Sequence, residues 1–431
     1  MPRPSRLMPR QRPEVGPRPP AASPAREAGT GRLAGVDGLR AFAAIWVVLF
    51  HMRSFSGGAL WPGVDLVLRS GSTGVSLFLV LSGFCLYLPY AGDRLDRFRT
   101  GAFMRRRCAR LLPTYYASLA LIVLAQLVLG GHGDLPRLGG PELARQTVAH
   151  ATLTHQFFPS TFYALNGAYW SLGLEWQLYL TLPLLVLGAR RFGLARTVAA
   201  VFAVTIAYRL LLFAAVAGGI LPGQSTWATV VLPNLLLGRW SEFALGMVAA
   251  ALYRTGRTGA RARQLGAAAV LAAAAGLLLS ANPLKHVLFG LVFFTLLCAV
   301  LSGDNVVARV FAWRPLVAIG VMSYSLYLVH QPLVGSLGLA FGAGTGTDPR
   351  RVFLLLLATF PLILLVGLAL FATVEWRSIA RRGSTRVPLR QLLFPPVRAA
   401  APAAPAVLHP VPAAAPAGSP ATEPLVLERG R

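Results

Sequence analysis

The residues of this sequence best suited to chemistry are an arginine and a histidine at the two ends of one apolar run. Arg40 precedes the run Ala41 to Phe50, and His51 follows it. If the run is helical, the eleven-residue step from Arg40 to His51 spans ~16 Å and returns to nearly the same face. Titratable groups in hydrocarbon are costly unless they line a polar cavity, so the pair is a candidate catalytic site. Two structural interpretations stay open: Arg40 could anchor a helix end at the membrane surface, and His51 could be a packed histidine whose polar atoms are hydrogen-bonded.

A polar stripe on a later apolar segment is the second candidate. Ser171, Glu175 and Tyr179 recur at four-residue steps, which puts them on one face of a helix, and Trp170 directly precedes them. A carboxylate in such a segment needs a partner, so Glu175 could take a proton, orient His51 or pair with an intramembrane arginine. We take Glu175 as a catalytic candidate and the other three residues as candidate substrate contacts.

Four arginines crowd the start of a further apolar segment. They are Arg105, Arg106, Arg107 and Arg110, and Pro113 and Tyr115 follow them. Planar guanidinium groups pair with phosphate oxygens and keep their charge at any relevant pH, so the cluster suits a polyanionic ligand. An anchor that fixes membrane topology, or a contact with anionic membrane lipids, is the alternative interpretation.

Two other segments carry polar groups, of which Arg239, Glu242, Tyr327 and His330 are candidate substrate contacts. Arg239 and Glu242 are three residues apart, a spacing typical of a local ion pair, so a structural role is favoured there. Ser323, Tyr327 and His330 follow the i, i+4, i+7 pattern of one helix face. That face indicates either an acceptor-binding surface or an interfacial aromatic belt.

The composition is that of a polytopic membrane protein. The 431 residues are 55% hydrophobic and 13% charged, and the apolar residues fall in blocks long enough to cross a bilayer. A formal net charge of +26 would suggest nucleic acid in a soluble chain. Here the basic residues lie between and beyond the apolar blocks, so we expect membrane lipids and no nucleic acid as partners. Cys85, Cys108 and Cys298 have neither metal-ligand nor disulfide spacing, so no metal site is predicted.

The hydropathy pattern predicts an all-α bundle of about ten transmembrane helices. The segments lie at about 34–52, 71–91, 111–130, 163–188, 197–218, 228–252, 265–281, 286–302, 316–341 and 352–374. An even number puts both termini on one side. If that side is cytoplasmic, it carries 31 lysines and arginines against 7 on the other, which favours cytoplasmic termini. Residues 142–158 are too polar to span and are expected to form a surface helix or a re-entrant piece.

Three regions are predicted along the chain. Residues 1–32 form a disordered basic arm, residues 33–376 the transmembrane domain, and residues 377–431 a basic and then Pro/Ala-rich disordered tail. No cleavable secretory signal is expected, because the first apolar run leads directly into further apolar segments.

Six stretches together resemble the acyltransferase 3 family, integral-membrane enzymes that O-acylate surface glycans and, in some bacterial members, macrolide antibiotics. The stretches follow the family's order from ~33 to ~376: Asp37-Gly-Leu-Arg40 with His51, Gly74 to Phe84, Arg106 to Tyr115, Trp170 to Tyr179, Arg239 to Gly246, and Ser323 to His330. Departures are modest. A valine precedes His330 where the family often has tryptophan, and phenylalanines are fewer before Ser82.

The resemblance implies a core of about ten spans that takes an acyl group, expected to be acetyl, from cytoplasmic acyl-CoA. It implies delivery to a hydroxyl of a sugar, a cell-surface glycan or a glycosylated small molecule at the bacterial inner membrane, which is the plasma membrane. Acyl-CoA would be a co-substrate, and no permanently bound cofactor is expected. Arg40 and His51 match the family's essential arginine and histidine. The donor contacts assigned by resemblance and charge are Ser82, Arg106, Arg107, Arg110 and Tyr115.

The expected mechanism follows from depth and charge. An imidazole ordinarily titrates near neutral pH, so His51 is suited to remove the proton from an acceptor hydroxyl as it attacks the thioester. A transient acyl-histidine is the competing route. Arg40 would position the donor chain and Glu175 would orient partners. A transporter of an anionic solute predicts flux without CoA, whereas a non-catalytic scaffold predicts that Arg40, His51 and Glu175 do not converge.

Overall fold

The computed structural model describes residues 33–132, 135–258, 282–303 and 305–380, and this part of the chain is almost entirely helical. The α-helices are α1 Ala34–Ser54, α2 Pro62–Arg69, α3 Gly74–Tyr87, α4 Thr100–Leu129, α5 Gly140–Ala151, α6 Pro159–Phe162, α7 Trp170–Phe192, α8 Leu194–Ala217, α9 Leu236–Arg254, α10 Lys285–Leu301, α11 Val306–Phe311, α12 Arg314–Val321, α13 Ser323–Ala340, α14 Pro349–Ala358, α15 Phe360–Leu370 and α16 Trp376–Ala380. Strands β1 Gly131–His132 and β2 Leu135–Pro136 form one short antiparallel pair. The predicted helical class is confirmed, with this strand pair as an addition.

Several helices are long and apolar enough to cross a membrane. In the described ranges seven meet this description, or eight when the bent pair α12–α13 counts as one span. The apolar helix α10 is shorter, at 17 residues. The predicted segment at 265–281, the arm 1–32 and the tail from residue 381 onward lie outside the described residues. The other predicted segments all have helical counterparts, which makes this a multi-pass membrane protein.

Local sequence explains where several helices begin. Pro62 and Pro349 occupy the first turns of α2 and α14, where the missing N–H costs no hydrogen bond. The side chain of Asn305 accepts a hydrogen bond from the backbone N–H of Ala308 and caps α11. Asp348 caps α14 in the same way through the N–H of Arg350.

Glycines allow two close helix crossings that fix the positions of α1 and α3. A Cβ on Gly38 of α1 would lie 1.8 Å from the carbonyl oxygen of Phe311, and one on Gly320 of α12 would lie 1.8 Å from that of Asp37. Small residues let backbones approach in this way, and van der Waals contact replaces the hydrophobic effect as the packing force in lipid.

The second crossing joins α3 to α9. A Cβ on Gly83 would lie 2.0 Å from the carbonyl oxygen of Phe243, and one on Gly246 would lie 2.1 Å from that of Val80. The two helices therefore pack backbone against backbone, which leaves the other face of α3 for α1.

One span is broken inside the bundle. Helices α12 and α13 meet at Met322 with a bend of 75°. The first N–H groups of α13 have no partner within their own helix, and lipid offers none. Glu375 supplies one: its Oε2 atom accepts from the Ser325 N–H at 3.2 Å and from Ser325 Oγ at 2.6 Å. Glu375 ends a π-helical turn, Phe371–Glu375, in the last span.

The predicted surface or re-entrant segment at 142–158 is a short helix, α5, followed by a 3₁₀ turn, His155–Phe157. His150 and His155 stack here with ring centroids 4.2 Å apart, and both are buried. Burial, with the neighbouring His155, lowers the pKa of His150 to about 3. Burial also lowers the pKa of His155 to about 4. Both imidazoles are therefore neutral at physiological pH.

Candidate active site

A cavity of about 60 Å³ with a mixed polar and apolar lining lies between α1, α3, α7 and α13. Its lining residues are Arg40, Val75, Phe78, Leu79, Ser82, Ser171, Leu172, Glu175, Ser323, Tyr324 and Tyr327. Five of the residues singled out in the sequence as site candidates, from four separate helices, therefore share one cavity. They are Arg40, Ser82, Ser171, Glu175 and Tyr327.

Glu175 is held by two hydroxyl groups. Its Oε1 atom accepts from the Tyr179 hydroxyl at 2.5 Å, one turn along α7, and from Ser82 Oγ of α3 at 3.3 Å. Short hydrogen bonds to a carboxylate are among the strong ones. Within the predicted stripe of α7, Glu175 and Tyr179 are therefore hydrogen-bonded to each other, and Ser171 and Glu175 line the cavity. Ser171 also bonds the Tyr327 hydroxyl of α13 at 2.7 Å.

Arg40 faces the cavity instead of reaching along a helix end to the surface. Its Nε atom donates to Ser323 Oγ at 3.3 Å, and the side chain is half-buried. Ser323 is the first residue of α13, directly after the bend. The broken span therefore brings a helix start, with its exposed backbone donors, next to a guanidinium.

His51 lies beside the cavity and connects to it through two rings. Its Nδ1 atom is 3.2 Å from Nε2 of His330, and the two ring centroids are 4.9 Å apart. The ring centroid of His330 is in turn 5.3 Å from that of Tyr327, a lining residue. Two predicted residues from distant parts of the chain, His51 and His330, are thus in direct contact. His51 itself does not line the cavity.

The arginines at the start of α4 differ in how deeply they are buried. Arg106 is exposed and its Nη2 donates to the Tyr90 hydroxyl at 2.8 Å. Arg107 is half-buried with its guanidinium 5.6 Å from the Phe103 ring centroid. It interacts electrostatically with Glu175 and Tyr179. Among the described residues its buried Nε has no hydrogen-bond partner. Arg107 thus links the cluster to the cavity.

Three predicted residues lie in the protein core instead. Arg239 Nε and Glu242 Oε2 form a buried ion pair at 2.7 Å, which supports the structural interpretation of their spacing. Arg239 also donates to Asn234 and Ser76. The Tyr115 hydroxyl donates to the His150 carbonyl at 2.9 Å, so Tyr115 ties α4 to α5.

Trp170 sits between these two groups of residues. Its ring stacks on Phe162 with centroids 5.6 Å apart, and the Arg239 guanidinium lies 6.0 Å from its centroid. It precedes Ser171 without lining the cavity itself. The side chain thus packs next to the site and joins it to the buried ion pair.

The sequence reasoning missed Tyr324 and Glu375. Tyr324 lines the cavity, and its hydroxyl donates to the Leu111 carbonyl of α4 at 3.1 Å. Glu375 caps α13 and interacts electrostatically with Arg40 and Arg110. The sequence could have marked Glu375 as a candidate, because it is the one acidic residue between 349 and 380. A lone carboxylate in an apolar run requires a partner.

Comparisons with known proteins find a matching family and named relatives. The family model described as an acyltransferase domain matches residues 33–374. The chain is 28% identical over 314 residues to "Acyltransferase MdmB" of Streptomyces mycarofaciens, an alignment that covers 69% of this chain and 78% of that protein. It is 27% identical over 169 residues to "O-acetyltransferase OatA" of Staphylococcus aureus, covering 36% of this chain and 24% of the relative.

No solved structure matches the chain. The family match covers most of the sequence, and it includes every cavity residue described above. This chain belongs to the acyltransferase 3 family, and it is a membrane acyltransferase that transfers groups other than amino-acyl groups.

Proposed function

We propose that this protein moves an acetyl group from cytoplasmic acetyl-CoA to a hydroxyl of a sugar, a cell-surface glycan or a glycosylated small molecule. The observation that carries the proposal is the shared cavity of Arg40, Ser82 and Glu175, with His51 connected to it through His330 and Tyr327. The name of the OatA relative, an O-acetyltransferase, supports the choice of acetyl and of an oxygen acceptor.

The proposed donor site begins at the arginines of α4. Arg106 and Arg110 hold phosphates of CoA at the entrance, because guanidinium groups pair with phosphate oxygens in planar, charge-assisted contacts. Arg107, with its unpartnered buried Nε, draws the donor toward the cavity. The cavity then receives the slender pantetheine arm and places the thioester toward His51.

In the proposed reaction the acceptor oxygen attacks the thioester carbonyl carbon while Nε2 of His51 takes the hydroxyl proton. The C–O bond forms, the C–S bond breaks, and the CoA thiolate leaves with the proton returned by His51. Arg40 stabilises negative charge that develops near the donor. Glu175 balances the guanidinium charges around the cavity, since it faces both Arg107 and the cavity. The competing route places the acetyl group on His51 first.

We propose further that the chain lies in the plasma membrane with about ten spans and both termini in the cytoplasm. The excess of Lys and Arg, 31 against 7, supports that orientation. It puts the start of α4, with its arginines, on the side where acyl-CoA is made.

The test is acetyl transfer by membranes that contain His51→Ala. Membranes with the wild-type chain, incubated with radiolabelled acetyl-CoA, should label a membrane or glycan fraction, and His51→Ala should reduce this by at least about 100-fold. Ser54→Ala, at an exposed position of the same helix, is the matched control and should retain transfer. Undiminished labelling with His51→Ala would remove this residue from the chemistry.

A transporter of an anionic solute is the second candidate, and the broken span α12–α13 favours it. Discontinuous helices in transporters place helix ends next to ions and substrates. The two functions differ in their need for CoA. Solute uptake into vesicles without acyl-CoA would support the transporter, whereas label transfer that depends on acyl-CoA supports the acyltransferase.

A further inference from the structure

The contacts of His51 and His330 determine where their protons lie. Nδ1 of His330 is 2.8 Å from the Tyr327 carbonyl oxygen, and Nδ1 of His51 is 2.9 Å from the Val47 carbonyl oxygen. A carbonyl oxygen only accepts hydrogen bonds. Each Nδ1 must therefore carry the hydrogen, so both rings are Nδ1–H tautomers when neutral.

The direction of the contact between the two rings follows. With its hydrogen on Nδ1, a neutral His330 has a bare Nε2 that can only accept. That atom is 3.2 Å from Nδ1 of His51. The His51 N–H therefore donates to two acceptors at once, the Val47 carbonyl on its own helix and Nε2 of His330 on α13.

This arrangement leaves Nε2 of His51 as the basic atom. It makes no hydrogen bond to any described residue, and the His51 side chain is half-buried, not sealed. Aromatic rings limit how the imidazole can turn, since Phe50 and Phe55 lie 5.1 and 6.3 Å from it between centroids. His330 is fully buried and therefore fixed more firmly than its partner.

We propose that His330 is a positioning residue that holds His51 in the tautomer and orientation required of the general base. This inference rests on the proposed function and deepens it, because it assigns a second residue to the same proton transfer. The carboxylate in a Ser-His-Asp triad acts on its histidine in the same way. Here a neutral imidazole takes that place, and it presents one acceptor atom and no charge.

The proton transfer can be followed atom by atom. The acceptor O–H bond breaks and an Nε2–H bond forms on His51, which becomes a cation with hydrogens on both nitrogens. Nε2 of His330 and the Val47 carbonyl both accept from its Nδ1–H. These two hydrogen bonds stabilise the positive charge, and the Nδ1 proton stays on His51. The Nε2 proton then passes to the CoA thiolate, and the pair returns to its starting state.

The experiment compares two variants of His330 in membranes. His330→Gln offers an amide oxygen that can accept from His51, whereas His330→Leu has similar bulk and no acceptor. We expect His330→Leu to lower kcat for transfer from acetyl-CoA by about 100-fold with KM for the donor nearly unchanged. His330→Gln should recover at least about tenfold of that loss, because it restores the acceptor.

A double variant separates positioning from packing. If His330 acts only through His51, then His51→Ala with His330→Leu should be no less active than His51→Ala alone. A merely structural role predicts additive losses and no recovery by glutamine, and either result would overturn the inference. Undiminished transfer by the single His51→Ala variant would also overturn the inference, because His330 would then have no base to position. The proposed function fails separately, if membranes with the wild-type chain transfer no label from acetyl-CoA.

Discussion

The side chain of Glu175 has two roles in the cavity: it accepts hydrogen bonds, and it supplies a negative charge. Its Oε1 atom accepts from Tyr179 and Ser82, and the carboxylate also interacts with Arg107. A glutamine at this position would keep an oxygen for the two hydroxyl groups and lose the charge. The two properties can therefore be tested one at a time.

We expect Glu175→Gln to reduce acetyl transfer about as strongly as Glu175→Ala, by about 100-fold, because the guanidinium groups around the cavity lose their counter-charge. Transfer of label from acetyl-CoA measures this. Tyr179→Phe is the control, since it removes one hydrogen bond and leaves the carboxylate, and it should cost less than about tenfold. A nearly wild-type Glu175→Gln would mean that only hydrogen bonding matters.

Cys85 gives an independent readout of donor binding. Its thiol is exposed and interacts electrostatically with Arg40, Arg107 and Arg110, the residues that the proposed donor site uses. In a Cys108→Ser background, with Cys298 buried, maleimide should react mainly with Cys85.

We expect acetyl-CoA to slow maleimide labelling of Cys85 in that background, because the bound donor covers the thiol. With Arg107→Ala added, the same donor concentration should protect much less, since the guanidinium that draws the donor toward the cavity is lost. Labelling followed by mass spectrometry measures the rate. Equal rates with and without acetyl-CoA would place donor binding elsewhere.

At the scale of elements, the crossing of α3 and α9 holds Ser82 in place. The adjoining Gly83 has no room for a side chain, since its Cβ would lie 2.0 Å from a backbone oxygen of α9. Backbone atoms cannot rotate away as a flexible side chain can. The whole helix would have to move, and Ser82 would move with it.

Gly83→Ala should therefore lower the free energy of unfolding by about 1–3 kcal/mol. Gly101→Ala is the matched control: this helical glycine of α4 has open space around its Cβ, and alanine there should be neutral or stabilising by up to about 1 kcal/mol. Thermal unfolding in detergent compares the two variants. Equal stability would mean that the crossing can relax.

The stacked histidines next to α5 predict acid sensitivity of the region outside the spans. Their pKa values in the folded chain are lowered from 6.5 to about 3 for His150 and about 4 for His155, mainly because burial disfavours the charged form. At pH values between the ordinary pKa of 6.5 and the lowered pKa of the folded chain, the unfolded chain binds protons that the folded chain does not. Folding stability therefore falls as the pH falls.

The loss should begin below pH 6.5 and continue to about pH 4 for His155 and about pH 3 for His150, with a slope of at most about 1.4 kcal/mol per pH unit for each imidazole. Thermal stability measured from pH 7 to pH 4 tests this. His155→Phe should make the slope shallower, because it removes one titrating group and keeps a ring for the stack. An unchanged slope in that variant would assign the acid sensitivity to other groups.

At the scale of the whole molecule, hydropathy predicted the helical spans, and helical spacing predicted which residues share a face. Glu175 bonds Tyr179 and shares the cavity lining with Ser171, because residues at four-residue steps lie on one face of a helix. Arg239 and Glu242 pair for the same reason. Such relations need no knowledge of the fold.

Contacts between distant segments could not be predicted in this way. His51 and His330 are 279 positions apart, and nothing in either segment alone says that the two rings meet. The break at Met322 was hidden because α12 and α13 together read as one apolar run. The resemblance to a family supplied candidate residues, but the pairing of the histidines and the role of Glu375 as a cap came only from the structure.

Glu375 connects the end of the membrane domain to the site. Glu375→Ala should lower the free energy of unfolding by about 1–3 kcal/mol, because it leaves the buried N–H and hydroxyl of Ser325 without an acceptor. Glu375→Gln keeps an acceptor and should cost less. Unfolding in detergent measures both, and wild-type stability of Glu375→Ala would indicate that α13 finds another cap.

The bend at Met322 also has a consequence for biogenesis. The ninth predicted span leaves the ribosome before Glu375 does, so its second half first enters the membrane with an unsatisfied helix start. That start gains its acceptor only when the last span inserts. The cavity would then be completed at the end of synthesis, and we expect a chain that terminates before residue 375 to be cleaved more readily by proteases.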